Sequence, residues 1–399
     1  MPKSDWLIGT SPAFRLMIAT SWLAPDSWQK NQEETIREAI GAGPDWTEYL
    51  FLVDRHRTPA LSWATLSRVP GIVVPAPTKQ ELEKRSNACR VQSIRHCREL
   101  VRILKAFNHA GIPVMNLKGP MLSAELYGDV GLRQSNDLDL AVPPEDISRA
   151  QDCLIDLGWH LESTLISMTP RQWEKFHQMR DDLIFIHSQS GSELEIHSHN
   201  YWEPLDQSRA RWARSISTVW QGCTHHGMNT IDQVLYLSSH GGAHAWFRAK
   251  WLGDLARIHA EGRVNWEAAL GFARSIEQEK PLLACLKLLQ IVHRLPLPRL
   301  HGNPLQNLPS FLIDSPLHAL KVTKEPPARG ALESLPDLLY MIRYTRLILP
   351  QKTWAESLSE LLYCRQDFRM FPLPDSLFWA YAPLRPILFA WRKLSRIWA

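Results

Sequence analysis

The sequence contains few cysteines and no long apolar run, and both absences exclude classes of protein. No CxxC pair occurs, so reduced thiols are expected rather than a disulfide framework or a zinc knuckle. The six cysteines are scattered: Cys89, Cys97, Cys153, Cys223, Cys285 and Cys364. No segment offers about 18 uninterrupted apolar residues, so a membrane-spanning helix is not supported. Residues 1–6 lack the apolar core of a signal peptide. We therefore expect a cytoplasmic protein.

The sequence also lacks a strong net charge. Its 45 lysines and arginines stand against 41 aspartates and glutamates, which leaves +4, and no long run of like charge occurs. Charge therefore gives no reason to expect a nucleic acid as partner. The 399 residues exceed a typical single domain, so about two or three units around at least one sizeable core are expected.

The C-terminal segment, residues 377–398, allows two interpretations. Aromatic and aliphatic residues mix there with four basic ones: Arg385, Arg392, Lys393 and Arg396. Such a mixture is compatible with an anionic membrane surface. Pro383 and Pro386 interrupt any long amphipathic helix, which favours the alternative that the aromatic residues pack on the core.

Proline and glycine breaks indicate a helical N-terminal region. Residues 1–77 read as short helices, with the clearest breaks at 41–44 and 74–77. Residues 78–81 fit a capping box that starts at Thr78, and apolar residues at helical spacing follow. This pattern predicts one long helix over about 79–110.

Short strands and helices alternate after Gly111. We predict strands and helices from apolar runs and their punctuation, with strands at 112–117, 138–142, 183–187 and 194–197 and helices at 120–127 and 143–157. From about residue 206 the chain is predicted to be helical again. The predicted fold class is α+β, with a core at 78–205 between helical regions at 1–77 and 206–399.

Two carboxylates one residue apart, Asp137 and Asp139, form the first candidate site. Apolar residues alternate with them, so a strand would present both aspartates on the face opposite the leucines. Two like charges on one surface repel unless a cation lies between them. The usual cation is a hard divalent metal, typically Mg²⁺, with phosphate oxygens completing its shell. An isolated pair is common on protein surfaces, so the neighbouring residues decide its role.

A two-metal site usually requires a third carboxylate from a neighbouring strand. If residues 192–197 are extended, Glu193, Glu195 and His197 point to one face and the apolar residues between them to the other. We select Glu195 because it lies mid-strand between two apolar residues. Glu193 lies next to the 190–192 turn and is expected to be solvated.

Phosphate groups also need donors, and three residues upstream are candidates. Lys118 and Gly119 lie where a strand ends and a helix begins, so backbone N–H groups and the helix dipole favour an anion there. Pro120 removes one of these donors. Arg133 is expected either to reach the same phosphates or to pin its loop to an acid.

These residues together resemble a known family. They are Leu117-Lys118-Gly119, Leu126-Tyr127, Arg133, Asp137-Leu138-Asp139-Leu140 and Leu194-Glu195-Ile196-His197, and they look like the uncharacterised nucleotidyltransferase family of the polymerase-beta superfamily. The resemblance implies a polymerase-beta-like core, with Asp137 and Asp139 as the metal-binding pair, Glu195 as the third carboxylate and Lys118-Gly119 as the triphosphate turn. The wider superfamily has serine after the glycine, so binding through a serine hydroxyl is not carried over. The family itself commonly shows Lys-Gly.

A second stretch that resembles the family runs from Leu237 to Asp254. His240 and His244 lie four residues apart, on one helical face with Lys250 or Asp254 further along. This face is a candidate for binding phosphate, base or acceptor, and an interior histidine pair satisfied by backbone carbonyls is the alternative. Zinc is not favoured because no further acid completes a signature. The nucleotide-binding candidates are thus Lys118, Gly119, Arg133, His240, His244 and Lys250.

The predicted function is nucleotidyl transfer that depends on Mg²⁺ or Mn²⁺. A nucleoside monophosphate would pass from a nucleoside triphosphate, with ATP expected, to a hydroxyl of an unidentified acceptor such as a peptide, small molecule or protein. Pyrophosphate would leave. Two alternatives stay open: a non-catalytic nucleotide-binding regulatory or partner protein on the same scaffold, and a phosphohydrolase, for which no water-activating set is identifiable. Near-neutral charge disfavours nucleic acid as the acceptor.

Overall fold

Helices flank a seven-stranded mixed sheet on both sides along the chain. The structure, a computed structural model, describes residues 6–7, 9–162, 168–179, 182–198, 205–302, 304–322, 335–348, 362–363 and 365–395. This architecture confirms the predicted α+β class. No helix within these ranges is long and apolar enough to cross a membrane.

Five helices precede the sheet: α1 Pro12–Thr20, α2 Asp26–Gly41, α3 Trp46–Arg55, α4 Pro59–Ser67 and α5 Ala76–His109. Ser11 caps α1 by accepting a hydrogen bond from the Phe14 backbone N–H at 3.1 Å. The long helix predicted over 79–110 is confirmed as α5. The capping box predicted at Thr78 is wrong, because α5 already begins at Ala76, after Pro75, and Thr78 is buried inside the helix.

The strands are β1 Met115–Asn116, β2 Asp137–Ala141, β3 Trp159–Leu161, β4 Asp182–His187, β5 Glu193–His197, β6 Ile216–Trp220 and β7 Cys223–Gly227. They lie in the order β3-β4-β5-β2-β1-β7-β6. Strand β2 is central: it pairs in parallel with β5 and antiparallel with β1. The helices among them are α6 Pro120–Tyr127, α7 Ile147–Asp156, α8 Pro170–Met179 and α9 Leu205–Arg214.

Most predicted elements of this central region are confirmed. Helix α6 has the predicted bounds, and β2, β4 and β5 match their predictions to within one residue at each end. The strand predicted at 112–117 joins the sheet only at Met115–Asn116. The helix predicted from Pro143 begins as a 3₁₀ turn, Pro144–Asp146, before α7.

The hairpin of β6 and β7 lies in the segment that was predicted to be helical, and this prediction is wrong. Gln221 and Gly222 connect its strands with φ angles of 50° and 75°, which is typical of a two-residue hairpin turn. Most of β6 is exposed, so its side chains alternate too weakly to mark a strand. Strand β7 pairs in parallel with β1, so the sheet extends to Gly227.

Within the described residues, the helices after the sheet are α10 Thr230–Ala243, α11 Ala249–Ala260, α12 Trp266–Ser275, α13 Glu279–Val292, α14 Phe311–Lys321, α15 Leu335–Ile348, α16 Arg365–Met370 and α17 Tyr381–Ser395. Helices α10 to α14 share one hydrophobic core with the N-terminal helices, as Leu16, Val53 and Leu252 illustrate. The N-terminal helices and α10 to α14 therefore pack together on one face of the sheet.

A second hydrophobic core lies on the opposite face of the sheet. Leu138 and Leu140 of β2 pack there with residues of α5 and α7. Because side chains alternate along a strand, the two aspartates of β2 face the other way. At the C-terminal end, Tyr381 packs in this second core, whereas Trp379 and Trp391 are 63% and 61% exposed. The predicted packing of C-terminal aromatic residues thus holds for Tyr381 but not for these two tryptophans.

Candidate active site

The register between β2 and β5 brings the predicted carboxylates together. Asp137 lies opposite Glu193, and Asp139 lies opposite Glu195. Neighbouring parallel strands place paired residues on the same face of the sheet. Three acidic oxygens, one each from Asp137, Glu193 and Glu195, lie within 4.8 Å of one another. The proposed third carboxylate therefore lies beside the aspartate pair.

A second group of ligand atoms overlaps the first. Asp139, Glu195 and His197 also offer atoms within 4.8 Å of one another, and Glu195 belongs to both groups. The His197 Nε2 atom lies 3.6 Å from Asp139 Oδ1 and 3.7 Å from Glu195 Oε2. Asp139 and Glu195 are 1% and 4% exposed, whereas Asp137 and Glu193 are half-buried. We call Asp139, Glu195 and His197 the inner group, and Asp137, Glu193 and Glu195 the more accessible outer group.

These donor atoms fit a divalent cation. The outer group offers only carboxylate oxygens, which are the ligands that Mg²⁺ prefers. The inner group adds an imidazole nitrogen, a ligand that suits transition metals better. Sequence reasoning had set Glu193 aside and had assigned no role to His197. The alternation along β5 already placed both on the face of Glu195, so the signal was present in the sequence.

Lys118 lies at the end of β1, against the second aspartate. Its Nζ atom is 2.9 Å from Asp139 Oδ1, and both side chains are buried. Burial disfavours the ammonium form, but the carboxylates of Asp139 and Asp137 outweigh this effect, so the pKa of Lys118 lies above its ordinary value. Lys118 therefore holds a positive charge among the buried carboxylates.

Gly119 forms the turn between this lysine and helix α6. Its φ angle of 85° and ψ angle of −152° belong to a conformation that glycine adopts without strain. A Cβ atom there would lie no closer than 3.9 Å to the Asp137 carbonyl oxygen. The turn therefore requires glycine for its backbone conformation rather than for space. The start of α6 thus lies beside the carboxylate site.

Arg133 and Lys250 are both buried and both bind protein groups near the site. The Arg133 Nε atom donates to Asp254 Oδ2 at 2.8 Å, and Tyr127 donates to the other oxygen of Asp254 at 3.3 Å. This contact is the loop-pinning one of the two considered for Arg133. Lys250 donates to the Gln134 carbonyl at 2.8 Å, three residues before Asp137.

His240 and His244 belong to a row of ring contacts. His240 stacks on Tyr236 with 6.1 Å between ring centroids, and its centroid lies 4.9 Å from that of His244. His244 in turn stacks on Trp251 at 5.1 Å. Burial, followed by the nearby charge of Lys118, lowers the pKa of His240 well below its usual range, so its imidazole is neutral. The rings run from the buried Tyr236 and His240 to the half-buried His244 and Trp251.

The two glycines between these histidines admit other aromatic side chains. A Cβ atom at Gly241 would lie 2.3 Å from the Trp246 ring, and one at Gly242 would lie 2.2 Å from the Tyr344 hydroxyl. The Tyr344 hydroxyl donates to the Ser239 carbonyl at 3.0 Å. This part of the stretch is therefore explained by close packing between α10, the turn after it and α15.

Clustered carboxylates that can hold divalent metals are typical of sites that act on phosphate groups, and here a buried lysine and a glycine turn lie beside them. A family model described as uncharacterised nucleotidyltransferase matches residues 42–293. The match covers more than half of the chain, and the protein belongs to this family. The family description indicates nucleotidyltransferase activity in general. No curated protein and no solved structure matches the chain.

Proposed function

We propose that this protein is a divalent-metal-dependent nucleotidyltransferase that moves a nucleoside monophosphate from a nucleoside triphosphate to an acceptor hydroxyl. The observation that carries the proposal is the register of β2 against β5, which pairs Asp139 with Glu195 and Asp137 with Glu193. Membership of the nucleotidyltransferase family supports it independently.

The carboxylates of Asp137, Asp139 and Glu195 would hold Mg²⁺ or Mn²⁺, with Glu193 and His197 as additional ligands. The metal, when bound, would neutralise phosphate charge and align the α-phosphate for in-line attack. The acceptor oxygen forms a bond to the α-phosphorus. The bond from that phosphorus to the oxygen bridging to the β-phosphate breaks, and its electron pair leaves with pyrophosphate. Asp139 or Glu195 takes the proton of the acceptor hydroxyl.

Lys118 and the start of α6 would supply hydrogen-bond donors for the phosphate groups. Lys118 already lies 2.9 Å from Asp139, so a phosphate bound at that carboxylate through a metal would meet the ammonium group. Backbone N–H groups at the start of α6, after Gly119, add neutral donors. We assign Lys250, which contacts the loop before Asp137, and the neighbouring rings of His240 and His244 to nucleotide binding as well. The expected nucleotide is ATP.

The test is a double variant, Asp137→Asn with Asp139→Asn, assayed with each α-³²P-labelled ribonucleoside triphosphate and Mg²⁺. Acceptors are supplied as peptide and small-molecule fractions of a cell extract. We expect loss of pyrophosphate release and of label transfer, with an unchanged circular dichroism spectrum. Asp152→Asn with Asp156→Asn is the matched control, because both residues are exposed on α7.

Unchanged turnover in the Asp137 and Asp139 double variant would refute the assignment. Calorimetry with nucleotide and Mg²⁺ separates transfer from binding alone. If wild-type protein binds nucleotide tightly but labels no acceptor, the non-catalytic regulatory function is favoured instead. If phosphate rather than pyrophosphate is released without any acceptor, the protein is a phosphohydrolase.

A further inference from the structure

The turn between α3 and α4 places an arginine, Arg57, beside the carboxylate site. With the Asn136 amide oriented so that its oxygen faces Arg57, that oxygen accepts from both Nη atoms at 3.2 Å. Asn136 is exposed and directly precedes Asp137, and Arg57 is half-buried. The N-terminal helical region therefore contributes a guanidinium group to the accessible edge of the site.

The backbone of Arg57 is held in an unfavourable conformation. Its φ angle is 56°, in the left-handed region that residues with a Cβ atom rarely adopt. Glycine would adopt this conformation without strain. Strained residues of this kind concentrate at functional sites, where the surrounding structure enforces them. Arg57 shares this backbone conformation with Arg294, so the position of its guanidinium beside Asn136, and not the strain alone, carries the argument.

The surrounding contacts that enforce this conformation come from the segment before α11. Arg55 donates to the Phe247 carbonyl at 2.7 Å, and the Arg248 guanidinium donates to the Arg55 carbonyl. On the next residue, the His56 Nδ1 atom accepts from the Ala249 backbone N–H at 3.1 Å. Contacts on both residues before Arg57 thus fix the turn against α11.

A second basic residue, the buried Lys250 of α11, contacts the loop before Asp137. Lys250 binds the Gln134 carbonyl, two residues before the asparagine that contacts Arg57. Burial, followed by the charges of Arg133 and Arg57, lowers the pKa of Lys250 well below its ordinary value. An anion bound beside these groups would favour the protonated form of Lys250. The loop before Asp137 is therefore suited to receive a phosphate chain.

We propose that Arg57 binds the phosphate groups that leave as pyrophosphate, an assignment that rests on the proposed function. Lys118 lies at the buried end of the carboxylates, beside Asp139, whereas Arg57 lies at the exposed end, before Asp137. In this proposal the α-phosphate lies at the carboxylates and the outer phosphates lie on the exposed edge, beside Asn136 and Arg57. A guanidinium offers the planar pair of donors that phosphate oxygens accept.

The test compares Arg57→Gly with Arg294→Gly. Both arginines have a φ angle of 56°, so both substitutions relieve the same backbone strain. Arg294 lies elsewhere, with its guanidinium 3.7 Å from Glu38. Binding is measured by calorimetry with Ca²⁺, using whichever of ATP, GTP, CTP and UTP binds wild-type protein most tightly, and the corresponding monophosphate. Melting temperatures are measured alongside.

We expect Arg57→Gly to weaken triphosphate binding about 10- to 100-fold, as loss of a charge-assisted hydrogen bond predicts. Monophosphate binding should change less than about twofold, since the missing contact lies on the outer phosphates. The melting temperature should be unchanged or higher in both variants. Arg294→Gly should bind both nucleotides like wild type. Arg57→Lys, which keeps the charge without the planar donors, should weaken triphosphate binding less than Arg57→Gly.

Three results would overturn the assignment. Wild-type triphosphate affinity in Arg57→Gly shows that the arginine makes no phosphate contact. An equal loss of triphosphate and monophosphate affinity shows that Arg57 shapes the site as a whole. If wild-type protein binds none of the four triphosphates, the proposed function itself fails, and this assignment fails with it. If Arg57→Gly does not fold, Arg57→Lys alone decides by the same comparison.

Discussion

The clearest stability prediction concerns Gly241 in helix α10. In the variant Gly241→Ala, the new Cβ atom would lie 2.3 to 2.5 Å from three atoms of the Trp246 ring. Trp246 is 1% exposed, and its backbone N–H donates to the Gly241 carbonyl at 2.8 Å. The turn is held against the helix and the indole is buried, so relief of the clash requires the surrounding core to repack. Overpacking of this kind costs about 1–3 kcal/mol.

Alanine also favours a helix over glycine, by about 0.5–1 kcal/mol, and this gain must be separated from the overpacking cost. Gly271 is the matched control, because it is exposed inside α12 and a Cβ atom there would meet nothing within 4 Å. Gly271→Ala should show the helix gain alone. The difference in unfolding free energy between the two variants should therefore equal the overpacking cost of about 1–3 kcal/mol.

Urea unfolding followed by far-ultraviolet circular dichroism measures both variants on the same scale. We expect Gly241→Ala to unfold at a lower urea concentration than wild type and Gly271→Ala at an equal or higher one. Two variants that agree to within about 0.5 kcal/mol would refute the packing role of Gly241, since that is the scatter of an ordinary surface substitution. The glycine would then need another explanation, such as contact with a ligand.

Three further predictions concern buried charges. Lys118→Met leaves Asp139 without the ammonium 2.9 Å away, so the unfolding free energy of the metal-free protein should fall by about 3–5 kcal/mol. Mg²⁺ should raise the melting temperature of this variant more than that of wild type, and equal shifts would contradict the prediction. Asp254→Ala should cost a similar amount because it leaves the buried Arg133 without its carboxylate, and Arg133→Met with Asp254→Leu should recover most of the lost stability in urea titrations. Loss of nucleotide binding in this double variant would assign Arg133 to the ligand instead. Burial, and then the charges of Arg55 and Arg248, lower the pKa of His56 well below its ordinary 6.5, so stability is lost as the pH falls below 6.5, by up to about 1.4 kcal/mol per pH unit. His56→Asn should reduce this slope of unfolding free energy between pH 6.5 and 5, and an unchanged slope would contradict the prediction.

The sequence predicts those parts of the fold that have their own periodicity and punctuation. Helix α6 is bounded by Gly119 and Gly128, and β2 shows clear alternation, so both are predicted almost to the residue. The β6–β7 hairpin has no such signal, because most residues of β6 are exposed. The Gln221-Gly222 turn was the one local indication of it. Local patterns thus predict β2, β4 and β5, whose residues are mostly buried, and miss the short β3 and the β6–β7 hairpin.

The candidate site shows the same division between local and distant information. Alternation alone predicted that Asp137 and Asp139 share one face of their strand and that Glu195 lies opposite the apolar residues of its own strand. It could not predict that β5 would pair with β2 in a register that sets Asp139 opposite Glu195. The contacts of Arg133 with Asp254 and of Arg57 with Asn136 join distant parts of the chain. No spacing in the sequence encodes such pairs, so they had to come from the structure.

The position of Lys118 has a consequence for how a metal and a nucleotide would bind. A cation that binds Asp139 competes with the ammonium group 2.9 Å away, so a metal alone must displace an existing partner. A phosphate at the same place gives Lys118 a new partner and removes this competition. Metal and nucleotide should therefore strengthen each other's binding, and by thermodynamic linkage the factor is the same in both directions. In Lys118→Met the competition disappears, so the metal alone should bind more tightly and the mutual strengthening should be smaller.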